Sequence, residues 1–211
     1  MLKGLYMRNI LYIHGMGGGA DSRIPSILQE CMKDRIIVRT YDFDPEIAAV
    51  QIASWVDELN PVLVIGESLG ALQALRIKDV PLVFVSPALN SPYYFEVLAW
   101  LCLIPGVSWI FDHIYKPRPG DRQQLHFTFK VLKKYRAHRK VAMESAGENR
   151  QLWAFFGTDD HYRKSGIVSI RTWKKYFGNT FSIYSGTHFM EEEFVRTVLV
   201  EKLENLLNTN K

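Results

Sequence analysis

Ser68 stands in the pentapeptide GESLG, with Gly66 and Gly70 two positions to either side, after the apolar run PVLVI and before a helix-forming stretch. A serine in G-x-S-x-G between a strand and a helix sits on a turn too sharp for side chains at the flanking positions, hence the glycines. Its hydroxyl is then presented for attack on an acyl carbonyl. At neutral pH a hydroxyl is a poor nucleophile, so it needs a base within hydrogen-bonding reach and an acid to orient that base. His188, in YSGTHF, is the expected base. Asp159 and Asp160, in FFGTDDHY, are the candidate acids; Asp160 is preferred, and one of the pair is expected to cap a turn. His161 lies beside the acid, and His113, His126 and His138 lie in a middle segment, so none fits the base position as well. The competing view makes Ser68 a helix cap in a glycine-rich turn and His188 an ordinary surface or core histidine.

A second motif asks for different chemistry. Gly15, Gly17 and Ala20 spell G-x-G-x-x-A after the apolar run NILYI. That is the dinucleotide fingerprint, whose glycines admit a pyrophosphate at a helix N-terminus, with an acid about twenty residues further on. Asp42 and Asp44 are its loose matches. A nucleotide-dependent oxidoreductase built on this loop would leave Ser68, Asp160 and His188 without a role.

The elements must bring these residues together. Four apolar, β-branched runs, at 9–13, 35–43, 61–68 and 81–88, are continuous rather than alternating, which suits strands covered on both faces of a parallel sheet. Helices are expected between them. DSRIPSILQECMKD has Asp21 or Ser22 as N-cap, and DPEIAAVQIASWVDEL has Asp44 as cap and Pro45 at the first position, with Ile47, Val50, Ala53, Ser54 and Asp57 at helical spacing. LGALQALRIKD follows the third run directly. The rhythm resumes with strands at 151–160 and 180–188, a helix near 165–177 and a last helix from about 190. That helix opens on Glu191, Glu192 and Glu193, which suits the positive end of its dipole, and carries a stripe of Phe194, Val198, Leu199, Leu203, Leu206 and Leu207. Strand–helix alternation means βαβ units in a wound α/β sheet of about six strands. Successive parallel strands deliver their C-terminal ends to one edge, and Ser68, the Asp pair and His188 all follow strands.

Residues 90–150 break the pattern and show no clear strand. SPYYFEVLAWLCLIPGVSWIF is too interrupted at Pro105-Gly106 for a membrane span, and predicts two short helices joined by a bend. Its Tyr93, Tyr94, Phe95, Trp100, Trp109 and Phe111 either pack this insertion on the sheet or line an acyl pocket. LHFTFKVLKKYRAHRKVAMES predicts a further, surface helix with Lys130, Lys133, Lys134 and Lys140 broadly on one side and Phe129, Leu132 and Arg136 elsewhere. Nine Lys/Arg and one acid, Asp121, fall between 116 and 140, so the net charge of +4 belongs to this segment and the remainder is net acidic. A solvated helix face, a site that attracts an anionic substrate or acyl carrier, and contact with anionic lipid or nucleic acid are the three explanations for it.

On YIHGMGG, VIGESLG, FFGTDDHY and SGTHF the chain resembles the α/β-hydrolase superfamily, and within it the small bacterial esterase-like serine hydrolases, over 9–88 and 151–208. The resemblance implies a mostly parallel sheet with helices on both faces and a helical cap at about 90–150. Its G-x-x-D pattern selects Asp160 as the acid. It also implies that the backbone N–H groups of Met16 and Leu69 hold a transient oxyanion, with Gly15 and Gly17 admitting close approach to the loop. His14 either braces that loop or is a plain strand-end histidine. The chain departs from the family in lacking the two antiparallel strands that usually open the fold, and in carrying Glu67 where His is common.

The 211 residues, 47% hydrophobic and 23% charged, are enough for one sizeable core, so 1–211 is expected to be a single domain. Lys3 and Arg8 precede only a short apolar run, unlike a signal peptide. Cys31 and Cys102 have no metal-ligand spacing and are expected to be reduced, buried thiols in a cytoplasmic protein. The leading expectation is cleavage of a carboxylic ester or thioester, with an anionic group on the substrate admitted, through an acyl-enzyme and without a metal or cofactor. No nucleic-acid partner and no transmembrane segment are expected. The alternatives are a non-catalytic binding protein of the same fold and the oxidoreductase.

Overall fold

The computed structural model describes residues 8–116, 119–146 and 151–209. Lys3, named above, and Arg118, one of the nine Lys/Arg between 116 and 140, lie outside them. Six parallel strands form one sheet: β1 Asn9–Ile13, β2 Arg35–Val38, β3 Leu63–Glu67, β4 Leu82–Val85, β5 Leu152–Gly157 and β6 Phe181–Tyr184, in the order β2-β1-β3-β4-β5-β6. Among the described residues every strand of this sheet is parallel to its neighbours.

Alternate strand residues feed two cores. Leu11, Ile13, Val64, Leu82, Phe84, Ala154 and Phe156 point to one face, where α2 (Pro45–Leu59), α3 (Ala71–Ala74) and α8 (Ile170–Phe177, through Trp173) pack. Ile10, Tyr12, Leu63, Ile65, Val83, Val85 and Phe155 point to the other, under α1 (Arg23–Cys31) and the C-terminal helices. Burial on both sides explains why the strands read as unbroken apolar runs.

The runs are longer than the strands they contain. Tyr41 and Phe43 are buried but follow β2 as loop, because they pack around the site at the strand ends. Asp44 caps α2, accepting from the Glu46 N–H at 3.0 Å, with Pro45 in the first turn. The stripe Ile47, Val50, Ala53, Ser54 and Asp57 has the right period but faces solvent; Ala48 and Ile52 form the inner face. Ser22 holds the N-cap position of α1 without capping it, its hydroxyl donating to Gly19 O instead. The helix after Ser68 is short: a 3₁₀ turn at Ser68–Gly70 and then α3 alone. The helix expected near 165–177 is two, α7 Tyr162–Ser165 and α8.

The insertion between β4 and β5 carries α4 Ser91–Leu101, α5 Val107–Ile114 and α6 Phe129–Ala146. It is part of the core rather than an appendage: Phe95, Ala99, Leu132, Tyr135 and Ala142 share the cluster of Phe84 and Trp173. Hence α6 is not a surface helix. It buries Leu132, Tyr135, His138 and Arg139, and its Lys133, Lys134 and Arg136 are bound in ion pairs with Glu96, Asp44 and Glu46. By contrast α5 buries no residue, and Trp100 and Trp109 are 58% and 63% exposed; Trp100 packs edge-on against Phe129 of α6 at 5.2 Å, and neither tryptophan lines the cavity over Ser68 described below. Cys31 and Cys102 are free and half-buried, not fully buried as expected. The chain ends in α9 (Glu192–Phe194), a π turn at Val195–Leu199 and α10 (Val200–Thr209). Leu199, Leu203 and Leu207 of the expected stripe are buried on the sheet, and Phe194, Val198 and Leu206 pack beside them.

Candidate active site

Ser68 follows the last residue of β3 with φ at 49°, in the left-handed region that a side chain adopts only under strain. The flanking glycines are obligatory. A Cβ on Gly70 would lie 2.4 Å from His14 O, and one on Gly66 2.9 Å from Ala74 Cβ. The turn is therefore wedged between the end of β1 and α3, which holds Ser68 at the C-terminal edge of the sheet.

The loops after β5 and β6 are pressed together there. A Cβ on Gly157 would meet Gly186 O at 2.3 Å, and Asp159 N–H donates to Gly186 O at 2.9 Å. This brings Asp160 and His188, each 3% exposed, into contact: His188 Nδ1 lies 2.8 Å from Asp160 Oδ2. The other ring nitrogen, Nε2, lies 2.9 Å from Ser68 Oγ. A carboxylate accepting at Nδ1 fixes the Nδ1–H tautomer, which leaves Nε2 to accept the hydroxyl proton. Tyr162 N–H donates to Asp160 Oδ1 at 2.9 Å, so both carboxylate oxygens are engaged. Asp159 is exposed and accepts from Thr158 Oγ1 at 2.9 Å; the turn cap expected of one of the pair is made by Asp160, through the Tyr162 N–H. Tyr162 and Phe189 pack edge-on against the His188 ring, at 4.7 and 5.3 Å. His161 stands 6.1 Å from that ring, while His138 lies buried in α6.

The Gly15–Gly19 loop closes the site from β1. A Cβ on Gly15 would come within 3.1 Å of Ser68 Cβ. His14 is fully buried and braces the loop: its Nδ1–H donates to Gly15 O at 2.8 Å, its ring stacks on Tyr41 at 4.4 Å, and Tyr41 Oη donates to His14 O at 2.6 Å. Burial pushes the His14 pKa down, so the ring stays neutral. Among the described residues the Met16 N–H donates to no protein acceptor, and Met16 and Leu69 both border the cavity over Ser68.

The clamp on this loop comes from the insertion and has no sequence signature. Gln123, wholly buried, accepts from Gly17 N–H at 3.0 Å and donates through Nε2 to Tyr41 O at 3.2 Å. Its own N–H donates to Gly18 O at 2.8 Å, and Gly19 pairs with Arg122. These bonds also speak against a phosphate loop. The helix N-terminus the fingerprint requires is displaced, because α1 begins only at Arg23. Asp42 and Asp44 are spent, on the Asp44 N–H and on the α2 cap with Lys134.

The cavity over Ser68 holds about 200 Å³ and is walled mainly by Leu69, Phe95, Ile167, Tyr94 and Phe189. Glu67, which accepts from Tyr12 Oη at 2.8 Å, is its one acidic wall, and among the described residues no Lys or Arg lines it. Phe95 and Tyr94 thus serve the pocket, as allowed for the cap aromatics. Among the described residues no group of three His, Cys, Asp or Glu could hold a metal, and no helix is long and apolar enough to cross a membrane.

This architecture recurs in solved structures. A monoacylglycerol lipase from Paleococcus ferrophilus aligns over 94% of each chain, with a TM-score of 0.63 and 18% identity. A bromoperoxidase from Bacillus anthracis aligns over 95% of this chain and 92% of its own, with a TM-score of 0.64 and 11% identity. A thioesterase domain from the curacin biosynthetic pathway aligns over 94% and 91%, with a TM-score of 0.57 and 16% identity. No protein-family model matches the chain, and no curated protein sequence matches it significantly. What is shared at these identities is the fold: the chain has the α/β-hydrolase fold.

Proposed function

We propose that the protein is a serine hydrolase that cleaves a carboxylic ester or thioester. The observation that carries this is the unbroken hydrogen-bonded chain from Ser68 Oγ through His188 to buried Asp160, at the floor of an apolar cavity. A fold alone does not name an activity, so the weight rests on this chain of groups.

In the proposed mechanism Ser68 Oγ attacks the acyl carbonyl carbon as its proton passes to His188 Nε2. Asp160 stabilises the resulting imidazolium without taking its proton. The carbonyl oxygen becomes an oxyanion and receives the N–H groups of Met16 and Leu69, donors of a kind worth about 3–4 kcal/mol each in the transition state. The intermediate collapses, the C–O or C–S bond to the leaving group breaks, and His188 returns the proton to that alkoxide or thiolate. Water then attacks the acyl-Ser68 ester as His188 accepts its proton, the acyl C–O bond to Ser68 breaks, His188 returns the proton to Ser68 Oγ, and the carboxylic acid leaves. No cofactor takes part. The small cavity, below the roughly 300–1,000 Å³ of drug-sized ligand sites, suits a short acyl group, and its apolar walls suit an uncharged one.

Labelling with a fluorophosphonate probe tests this directly. Wild type is expected to label, and Ser68→Ala to lose both the label and, on the precedent of serine proteases, about a million-fold in turnover. A folded wild-type protein that takes up no Ser68-dependent label would overturn the proposal.

A further inference from the structure

A second, larger cavity of about 510 Å³ adjoins the first, and Tyr94 lines both. Chain neighbours divide between them: Asn90 and Gly166 border the larger cavity, Ser91 and Ile167 the smaller. The larger one is cationic. Arg139 of α6 and Lys175 of α8 line it, and no carboxylate does among the described residues.

Arg139 is only 8% exposed, and its partners are neutral. Nε donates to Leu89 O at 2.7 Å and Nη2 to Asn90 Oδ1 at 3.2 Å. Three other cations of α6 show the contrast. Lys133 and Arg136 share Glu96, and Lys134 has Asp44 and Glu46, whereas among the described residues neither Arg139 nor Lys175 has an acidic partner. A guanidinium withdrawn from water without a counter-charge is costly unless something else supplies it. The two hydrogen bonds use only part of its donors. Tyr93 and Tyr176 flank it, with ring centres 5.0 and 5.8 Å from Cζ, and hold its plane in place.

We infer that this cavity binds an oxyanion, a phosphate or a carboxylate, gripped by the fork of Arg139 and the ammonium of Lys175. A planar guanidinium takes two oxygens of such a group at once, and a lysine on a second helix adds a point charge. A purely structural Arg139, bracing the turn between β4 and α4, would need neither Lys175 nor the open space. The anion comes either from the substrate itself, beyond Tyr94 from the acyl group, or from a separate small molecule.

The test is calorimetric titration of the full-length protein with inorganic phosphate and with succinate at low ionic strength. Lys175→Glu is the main variant, since Lys175 is exposed and its replacement leaves the core intact; Arg139→Lys is the second. Saturable binding to wild type is expected, weakened about tenfold or more in Lys175→Glu with no change in unfolding midpoint without anion. Absence of saturable binding throughout the millimolar range, or equal affinity in wild type and Lys175→Glu, would refute the site. Running the titration in Ser68→Ala as well keeps the result independent of hydrolysis. If the anion belongs to the substrate, Lys175→Glu lowers kcat/KM for a hemisuccinate p-nitrophenyl ester but not for the butyrate. If it is a separate ligand, both esters respond alike and phosphate changes butyrate turnover. Either pattern supports the site and identifies its source.

Discussion

Two adjacent carboxylates with opposite surroundings give the sharpest test at the scale of single residues. Asp160 is buried against His188, while Asp159 bonds a neighbouring hydroxyl at the surface of its turn. If Asp160 orients the proposed base, Asp160→Asn removes the acceptor that fixes the Nδ1–H tautomer. It should lower kcat about ten-thousand-fold, as the equivalent change does in serine proteases. Asp159→Asn should stay near wild type. Steady-state kinetics on a short p-nitrophenyl ester separates them, and a larger loss in Asp159→Asn would assign the acid to the wrong residue. That Ser68, the Asp pair and His188 meet at one sheet edge was legible in the sequence, because each follows an apolar run, whereas the choice of Asp160 within the pair rests on the G-x-x-D pattern of the family resemblance. Gln123 was not legible. It clamps Gly17 from a distant segment, and nothing in its type or neighbours announces that partner.

Among the elements, α6 shows how a local pattern misleads. Its lysines suggested an exposed face, yet the same helix buries His138 and Arg139 and docks on α2 through Lys134 and Asp44. The side-chain period of a helix is the same on every face, so spacing revealed that α2 and α6 are helices without saying which side is inward. The Ile47–Val50–Ser54 stripe of α2 failed for that reason. The burial of His138 has a measurable consequence. Burial first, and the nearby Arg76 second, push its pKa down from 6.5 to about 4. The folded protein thus resists protonation that the unfolded chain accepts. Stability is complete above pH about 6.5 and falls as pH drops from there through 4, by up to about 3 kcal/mol from this group. Replacement by a non-titrating residue, His138→Gln, should cost stability at pH 7.5 and lose less than wild type on moving to pH 4.5. Urea unfolding at the two pH values measures this; parallel losses in both proteins would show that His138 already carries its proton when folded. His14, also held low by burial, adds a contribution of the same sign that the variant retains.

For the molecule as a whole, the question is whether the cap at 90–150 is a domain or a part of one. Its sequence has no clear strand and its own charge balance, while the length of the chain points to a single domain over 1–211. The packing ties the described part of the cap to the sheet. Phe95, Leu132 and Tyr135 belong to the cluster that contains Phe84 of the sheet, Tyr135 Oη donates to Phe43 O at 2.7 Å, and Gln123 pins the loop after β1. Removing the cap would strip one face of the sheet and release the loop beside Ser68. Cap and sheet are therefore expected to unfold in one transition, despite the exposed turns of α5. Trp100 and Trp109 report on the cap and Trp173 on the sheet, so variants that keep one or the other tryptophan give separate probes. Their thermal midpoints should coincide with that of far-UV circular dichroism. Tyr135→Phe makes the coupling quantitative. It leaves the buried Phe43 O without its donor, which costs about 1–2 kcal/mol and lowers the midpoint by roughly 2–8 °C in a chain of this size. If cap and sheet are one unit, the Trp173 signal shifts by the same amount as the Trp109 signal; a shift confined to Trp109 would make the cap a domain of its own.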